Sequence, residues 1–393
     1  MKLFVDSPAF MTQLELDVAC ARQSIHAQVM SFEGDEAGTR FARLLLGRKE
    51  LERTLVIDRY SRFYISDRFL VAPRNALNAG LWRERRETLR LARALSDDGV
   101  TVCWTNPLGI LFLELLGRNH KKSVVIDGRI VYLGGINVCD HNFAWHDLML
   151  RIEDERVGAF MAQDIRATLG GRNLSSRCDF GGVEVLLFDG ESNPKLNEPI
   201  LRLIREARES IVVQSAYLMF PFYEHLAEAA GRGVPVTVVA PKHNNKPKMT
   251  AYTAWAASRA GATVRLYDGR MSHIKAMLVD GRALVVGSSN FDYQSFYTNQ
   301  EVVAIVRDPR VIAQYTREVL EPDLAQCVAP SRAGIGFWQL CWERSLREAG
   351  RVAVPVNRWL RHRRAARRRP PALPPLESEP RATGPTQPCP RPR

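Results

Sequence analysis

The sequence predicts an α/β fold that is built from two copies of one domain. Three observations lead to this prediction. At 393 residues, the chain is too long for one ordinary core and suits two domains with a tail. One motif occurs twice, at residues 119–128 and 272–281. Around both copies, short β-branched segments alternate with amphipathic helical segments, which is typical of α/β domains.

The repeat extends well beyond the motif. The segment that starts at Gln23, QSIHAQVMSFEGDEAGTRFARLL, has a counterpart that starts at Glu209, ESIVVQSAYLMFPFYEHLAEAA. The pattern in each segment predicts a strand, a turn and an amphipathic helix. Two further short strands are expected at residues 98–104 and 260–267, each after a helical segment that is rich in Ala and Arg. The repeat is therefore predicted to be one of whole domains.

The C-terminal region differs in composition from the rest of the chain. Residues 331–393 contain 14 Arg and four Glu, a net charge of +10, whereas the whole chain carries +12. We expect domain one at residues 1–176, domain two at residues 183–330, and a tail at residues 331–393. The tail is predicted to begin with a basic amphipathic helix. Its Arg- and Pro-rich remainder has too little apolar surface to fold and is expected to be disordered.

Targeting and metal signals are weak. The N-terminal segment MKLFVDSPAFM does not resemble a secretory signal, because Asp6 and Pro8 interrupt its apolar run. The longest apolar segment, residues 108–117, falls short of the ~18 residues that a membrane span needs. The seven cysteines are scattered without a Cys-x-x-Cys pair, which argues against disulfides and against a zinc site. We expect a soluble or peripheral protein of a reducing compartment.

The doubled motif contains the residues best suited to catalysis. NHKKSVVIDG and SHIKAMLVDG align without a gap, and each continues to an Asn that lies 17 residues after the His. In an extended segment the His and the Lys share a face, because side chains alternate in a strand. Two basic groups above a buried sheet favour an anionic ligand. The two copies contain His120, Lys122, Asp127 and Asn137, and His273, Lys275, Asp280 and Asn290.

A phosphodiester fits these residues. Lys122 and Lys275 can neutralise its non-bridging oxygens, helped by the amides of Asn137 and Asn290. One His can attack phosphorus while the other protonates the leaving oxygen, so the two need opposite protonation states. The residues alone do not distinguish the two roles.

The paired motif HxKxxxxDG, followed by GxxN, resembles that of the phospholipase D superfamily. NHKKSVVIDGRIVYLGGINVCD, continuing to WHDLMLRIED at residues 145–154, is similar to the bacterial cardiolipin synthase branch, and the resemblance covers residues 1–326. It implies two α/β domains that are related by a pseudo-two-fold axis, with one active site at their interface. It also implies a phosphohistidine mechanism with His120 as nucleophile, His273 as acid and base, and no metal or cofactor.

The resemblance implies further roles. A carboxylate beyond each Asn supports one imidazole: Asp147, 27 residues after His120, and Glu301, 28 residues after His273. Asp127 and Asp280 belong to the catalytic motif, although organising the turn before the next Gly suits them better than touching substrate. The chain has His146 where the family often has Arg, which puts the contacts to a lipid head group in question.

The resemblance implies a phosphatidyltransferase of the cardiolipin synthase type, with an acceptor such as phosphatidylglycerol. The alternatives are hydrolysis of phospholipid, cleavage of nucleic acid, and a membrane-binding scaffold without activity. The apolar residues 108–117 and 216–223 are either lipid contacts or core. We expect a monomer that acts on phospholipid and binds no specific nucleic acid. Its basic tail would hold it on an anionic membrane, in the cytoplasm at the inner face of the cell membrane.

Overall fold

The computed structural model describes residues 1–108 and 116–330, together with residues 340, 341, 343–345, 347, 348, 355, 356 and 359. The described residues between 340 and 348 are helical. The other expectations for the tail lie outside the described residues, as does most of the apolar segment before His120. None of the described helices combines the length and the apolar character that crossing a bilayer requires.

The first half of the chain forms a seven-stranded sheet and a separate two-stranded hairpin, both flanked by helices. The strands are β1 (Lys2–Val5), β2 (Ser24–Val29), β3 (Glu52–Asp58), β4 (Tyr64–Ile65), β5 (Arg68–Phe69), β6 (Thr101–Thr105), β7 (Ser123–Ile126), β8 (Ile130–Gly134) and β9 (Leu148–Glu153). The helices are α1 (Asp6–Ala19), α2 (Glu36–Leu46), α3 (Ala79–Asp97), α4 (Asp140–Phe143) and α5 (Glu155–Leu169), with a 3-10 turn at Arg59–Arg62. The sheet order is β1-β9-β8-β7-β2-β3-β6, and β4 pairs with β5.

The second half forms a nine-stranded sheet. Its strands are β10 (Ser176–Asp179), β11 (Val183–Asp189), β12 (Ile211–Ser215), β13 (Val236–Pro241), β14 (Thr263–Tyr267), β15 (Lys275–Val279), β16 (Ala283–Gly287), β17 (Gln300–Val306) and β18 (Cys327–Val328). Its helices are α6 (Asn193–Leu196), α7 (Glu198–Glu206), α8 (Phe222–Gly231), α9 (Pro247–Arg259), α10 (Tyr293–Tyr297), α11 (Pro309–Tyr315) and α12 (Glu321–Ala325), with a π-helical turn at Thr316–Leu320. The sheet order is β10-β11-β17-β16-β15-β12-β13-β14-β18.

The strand order confirms the internal duplication. The run β9-β8-β7-β2-β3-β6 of the first sheet corresponds strand for strand to β17-β16-β15-β12-β13-β14 of the second. In both runs the last three strands are parallel, and the motif strand, β7 or β15, is antiparallel to its neighbour β2 or β12. Parallel neighbours need crossover connections, which α2 and α3 provide in the first half and α8 and α9 in the second. The predicted α/β fold class is therefore confirmed.

The two sheets share an apolar core, which brings the two motif strands close together. Val125 and Leu133 of the first sheet belong to the same buried cluster as Ala276 and Val286 of the second. Separate clusters pack each sheet against its own outer helices. Between the two predicted domains, which were expected to end at residue 176 and to begin at residue 183, the chain forms β10, which pairs with β11 of the second sheet. The face-to-face packing places the start of each motif strand against the other half.

Candidate active site

A short parallel bridge joins the first motif to the second half of the chain. Asn119 pairs with Gln300 in this bridge. The amide of His120 donates to the carbonyl oxygen of Gln300 at 2.9 Å, and the amide of Gln300 donates to that of Arg118 at 2.9 Å. The residue after each bridge partner, His120 on one side and Glu301 on the other, is thereby held at the interface.

A second bridge occupies the pseudo-symmetric position. His146 pairs with Ser272. The amide of His146 donates to the carbonyl oxygen of Met271 at 2.8 Å, and the amide of His273 donates to that of His146 at 2.7 Å. The bridges explain why the strands begin later than the sequence suggests: β7 starts at Ser123 and β15 starts at Lys275, so both motif histidines precede their strands.

Each motif histidine is paired with a carboxylate of the opposite half. Nδ1 of His120 lies 3.0 Å from Oε2 of Glu301. Nδ1 of His273 lies 2.7 Å from Oδ2 of Asp147. The resemblance implied one supporting carboxylate for each imidazole and counted it from the His of the same copy, whereas the structure pairs each carboxylate with the His of the other copy. The bridges exchange the carboxylates because they place the residues before Glu301 and Asp147 beside the other half's motif.

The two motif lysines are buried in the same place. Nζ of Lys122 donates to the carbonyl oxygen of His120 at 2.7 Å, and Nζ of Lys275 donates to that of His273 at 2.6 Å. Burial is the largest influence on both ammonium groups, and it lowers the pKa of Lys122 to about 7 and the pKa of Lys275 to about 8. Each lysine therefore gains from an anion that enters the site.

Both imidazoles favour the neutral form. Burial lowers the pKa of His120 below its ordinary value, in spite of the nearby Glu301 carboxylate. Burial also lowers the pKa of His273 to about 3, and the charge of Lys275 acts in the same direction. A neutral imidazole has the lone pair that nucleophilic attack requires, so either His is ready to attack phosphorus.

The two carboxylates have different surroundings. Glu301 accepts hydrogen bonds from the hydroxyls of Ser288 and Ser295. In the first copy, Gly135 stands at the position of Ser288. A Cβ at Gly135 would lie 2.1 Å from Oδ1 of Asp147, so any side chain there would collide with the carboxylate. The GGIN and GSSN segments thus hold their carboxylates by different means.

The two motif asparagines also differ. Oδ1 of Asn137 accepts a hydrogen bond from the amide of Ser31 at 3.1 Å. Tyr217 stands at the equivalent position in the second half, and its amide donates to the hydroxyl of Ser215 instead. Oδ1 of Asn290 is buried, and it has no hydrogen-bond partner within the described part of the chain. Of the two predicted substrate-binding amides, Asn290 is the one with an unused acceptor.

The motif aspartates do not lie in this site. Asp127 and Asp280 have φ angles of 52° and 51°, and each begins the turn after its motif strand. The four-residue strand β7 alone spans ~13 Å between the site and Asp127. Including the two aspartates among the catalytic residues was therefore wrong, because each carboxylate instead fixes the loop before β2 or β12. The amides that donate to them are those of Arg22, Gln23 and Ser24 for Asp127, and of Arg208, Glu209 and Ser210 for Asp280.

His146 is an interface residue, and both of its ring nitrogens are engaged within the protein. Nδ1 lies 2.8 Å from Oδ1 of Asp6, and Nε2 lies 3.1 Å from Oδ1 of Asp323. Against the opposing effect of burial, Asp323 and Asp6 raise the pKa of His146 to about 9. The imidazolium joins the first turn of α1 to α12, so it ties the two halves together beneath the second bridge.

Two aromatic residues that the sequence analysis did not identify lie against His273. The ring centroid of Trp145 is 5.0 Å from that of His273, and the ring centroid of Tyr217 is 6.5 Å away. Most of the apolar segment 216–223 belongs to the hydrophobic core of the second half, namely Leu218, Met219, Phe220, Phe222 and Tyr223. For Trp145, the only available signal was its position two residues before Asp147. A cavity of about 470 Å³ opens beside Trp145; it is also lined by Lys242, His243, Asn244, Asn245, Pro247 and Met271.

Curated relatives of the chain are cardiolipin synthases. The family described as "Cardiolipin synthase, PLD-like domain" matches residues 200–321. Over 352 residues, the chain is 26% identical to a cardiolipin synthase of Listeria welshimeri. This alignment covers 82% of this chain and 68% of the relative. Over 234 residues, the chain is 31% identical to cardiolipin synthase 2 of Staphylococcus epidermidis. This alignment covers 52% of this chain and 47% of the relative.

A solved structure shares the fold across nearly the whole chain. Phosphatidylserine synthase from Haemophilus influenzae superposes with a TM-score of 0.63 at 16% identity, covering 92% of this chain and 94% of the other. At 16% identity, the match shows a shared fold and does not indicate a shared activity. The paired motifs and the curated relatives make the chain similar to proteins of the phospholipase D superfamily, and the matched relatives are cardiolipin synthases.

Proposed function

We propose that the chain is a phosphatidyltransferase of the cardiolipin synthase type. It would move a phosphatidyl group from one phospholipid to a hydroxyl of another, through a phosphohistidine. The observation that carries this proposal is the buried site in which His120 pairs with Glu301 and His273 pairs with Asp147, each beside a motif lysine. The curated cardiolipin synthases supply the substrate class.

The charges of the site suit a phosphodiester. With protonated Lys122 and Lys275, ionised Asp147 and Glu301, and two neutral imidazoles, the net charge of the group is zero. A phosphodiester adds one negative charge, which raises the proton affinity of the imidazoles beside it. Uptake of one proton by a histidine then restores neutrality and provides the general acid that the leaving group needs. Substrate binding is thus coupled to protonation of the histidine that acts as the general acid.

The reaction has two steps. Nε2 of His120 attacks phosphorus, the bond to the leaving alcohol oxygen breaks, and protonated His273 gives its proton to that oxygen. In the second step, neutral His273 takes the proton of the acceptor hydroxyl, whose oxygen attacks phosphorus and displaces His120. The two lysines stabilise the charge on the non-bridging oxygens in both steps. We assign the nucleophile to His120, as the resemblance to the family implies. With phosphatidylglycerol as donor, the first product is glycerol.

An acceptor has space near His273. The cavity of about 470 Å³ beside Trp145 is lined by Lys242 and Asn244, so polar groups are available for a head group. The unused Oδ1 of Asn290 can accept a hydrogen bond from an alcohol. If water takes the place of this alcohol, the same intermediate gives hydrolysis.

The proposal also includes attachment to a membrane surface, action as a monomer and phospholipid as substrate. Residues 331–393 carry a net charge of +10. Each Arg close to an anionic leaflet contributes about 1 kcal/mol, so this region suits attachment to an anionic surface at the cytoplasmic face of the cell membrane. One chain supplies both histidines and both carboxylates, so a monomer suffices for the chemistry. Phospholipid is the substrate, and no role for nucleic acid is proposed.

A product assay tests the proposal. The purified full-length chain is incubated with mixed micelles of phosphatidylglycerol, and lipids and glycerol are measured by mass spectrometry. We expect cardiolipin and glycerol in equal amounts, and no product with His120→Ala. Phosphatidic acid as the sole lipid product would identify a hydrolase instead. Cleavage of single-stranded DNA without lipid turnover would contradict the proposal.

A further inference from the structure

We propose that Glu33, Cys139 and His141 form a zinc-binding site, separate from the phosphotransfer centre. This inference goes beyond the proposed function and does not depend on it. The cysteine spacing argued against zinc, because spacing does not reveal a site whose third ligand, Glu33, lies in a distant part of the chain.

Three ligand types of different chemistry converge at this place. Sγ of Cys139 lies 3.7 Å from Nε2 of His141, and Nδ1 of His141 lies 3.9 Å from Oε2 of Glu33. One ligand atom from each residue lies within 4.8 Å of the others. In a tetrahedral zinc site, with bonds of about 2.3 Å to sulfur and 2.0–2.1 Å to nitrogen, two such ligands are about 3.5 Å apart. The two printed contacts of His141 use different ring nitrogens and zinc binds only one of them, so a rotation of the His141 side chain is needed to bring that nitrogen to the bonding position.

A cation would stabilise the carboxylates that surround this place. Glu33 is 1% exposed, and ligand oxygens of Glu33, Asp35 and Glu84 lie within 4.8 Å of one another. Within the described ranges, no Lys or Arg forms an ion pair with any of the three, and Nδ1 of His141 lies 3.9 Å from Oε2 of Glu33. Carboxylates that are crowded together away from water are costly unless a proton or a cation compensates them. A divalent ion would do so, and Asp35 or Glu84 could supply a fourth ligand.

The fold holds the ligands on two segments that are fastened to each other: Glu33 lies in the loop after β2, whereas Cys139 and His141 lie at the start of α4. Phe32 and Val138 form a parallel bridge, and the amide of Glu33 donates to the carbonyl oxygen of Val138 at 3.2 Å. The amide of Asp140 donates to Oδ2 of Asp35 at 2.6 Å. Because these contacts fasten the two segments to each other next to the ligands, the ligand side chains would be pre-organised for binding.

The site is connected to the phosphotransfer centre through one aromatic side chain. The ring centroid of His141 lies 5.3 Å from that of Trp145, and Trp145 lies 5.0 Å from His273. Zinc would therefore fix the segment that carries Trp145, without touching the reacting phosphate. The role of the ion is structural.

Metal content is the first test. The full-length chain is loaded with zinc and dialysed, and its zinc content per chain is measured by inductively coupled plasma mass spectrometry. The variants Cys139→Ser and His141→Gln are treated in parallel. Cys20→Ser and His225→Gln are the matched controls, because Cys20 is exposed and His225 lies on α8 beside Glu228. We expect about one zinc per chain in the wild type and in both controls, and an affinity at least about tenfold lower in the two ligand variants.

Cobalt provides a second measurement that does not depend on folded variants. A thiolate bound to Co²⁺ gives a charge-transfer band in the near ultraviolet, and we expect this band in the cobalt-loaded wild type. Circular dichroism verifies the fold of each variant. Wild-type protein that retains no zinc, zinc binding that is equal in Cys139→Ser and the wild type, or a missing cobalt band would each overturn the proposal.

Discussion

Nδ1 of His120 lies 3.0 Å from Oε2 of Glu301, a residue of the opposite half of the chain. The same exchange joins His273 to Asp147 at 2.7 Å. A carboxylate at Nδ1 fixes the tautomer of an imidazole, so Nε2 is the atom that is left to react. Each half of the chain thus controls the histidine of the other half.

The exchange predicts which histidine each carboxylate variant disturbs. Asp147→Asn should remove the downfield Nδ1–H resonance of His273 from the proton NMR spectrum and leave that of His120. Glu301→Gln should do the reverse. In both variants we expect kcat to fall by about 10²- to 10⁴-fold, since the oriented acid–base function is lost. Loss of the His120 signal in Asp147→Asn would instead support pairing within each copy.

The roles of the two histidines can be separated with an activated substrate. Bis(p-nitrophenyl) phosphate has a leaving group that needs no protonation, so His273→Ala should release one p-nitrophenolate per chain in a burst and then stop. His120→Ala should give no burst, because the nucleophile is absent. The double variant should be little worse than His120→Ala with lipid substrate, since the residues act as a unit. A burst from His120→Ala alone would reverse the assignment.

Binding of an unreactive anion should be coupled to proton uptake. Diethyl phosphate carries one negative charge, and titration calorimetry in buffers of different ionisation enthalpy measures the protons taken up. We expect net uptake, and a Kd that rises as pH increases from 6 to 9, because Lys122 and Lys275, with pKa values of about 7 and 8, lose their protons in this range. Lys275→Met should weaken binding and flatten the pH dependence. Release of protons on binding would contradict this account.

His146 should stabilise the fold in a defined pH window. Its pKa rises from 6.5 in the unfolded chain to about 9 in the folded protein, which corresponds to about 3 kcal/mol. This stabilisation is fully present below pH 6.5 and is lost as pH rises through 9. The difference in unfolding free energy between the wild type and His146→Gln, from urea denaturation, should therefore shrink over this window. A difference that stays constant between pH 6 and pH 9.5 would contradict this role of His146.

The tail should govern attachment to membranes without affecting the chemistry. Deleting residues 352–393 should weaken binding to anionic vesicles in a sedimentation assay, and raising the salt concentration should weaken binding of the intact chain in the same way. Turnover of a dispersed short-chain lipid should barely change, because every described site residue lies before residue 330. Equal vesicle binding by both proteins would show that the anchor lies elsewhere.

Local patterns predicted much of this molecule. The alternation of strand and helix patterns in two copies is a local property, and so is the shared spacing of His120 and Lys122 with His273 and Lys275. The Asp-Gly pairs at residues 127 and 280 predicted turns, since Asp and Gly tolerate positive φ.

Contacts between distant segments could not be predicted in this way. The exchange of carboxylates depends on two bridges between the halves, one at Asn119 and one at His146, and no periodicity encodes which segments pair. Glu33 meets Cys139 because Phe32 is bridged to Val138, a contact that is equally invisible to spacing arguments. Tertiary pairing, rather than propensity, decides these positions.

The crossed carboxylates also constrain ancestry. A polypeptide with only one copy of the repeat would have had a histidine without its acid, and two identical molecules would have had to face each other to become active. Once the two copies were joined in one gene, each copy could acquire different residues. Lys121 in the first copy corresponds to Ile274 in the second, and Gly135 corresponds to Ser288. A symmetric pair could not tell its two ligands apart, whereas a fused and diverged pair can evolve one entrance for the donor and another for the acceptor.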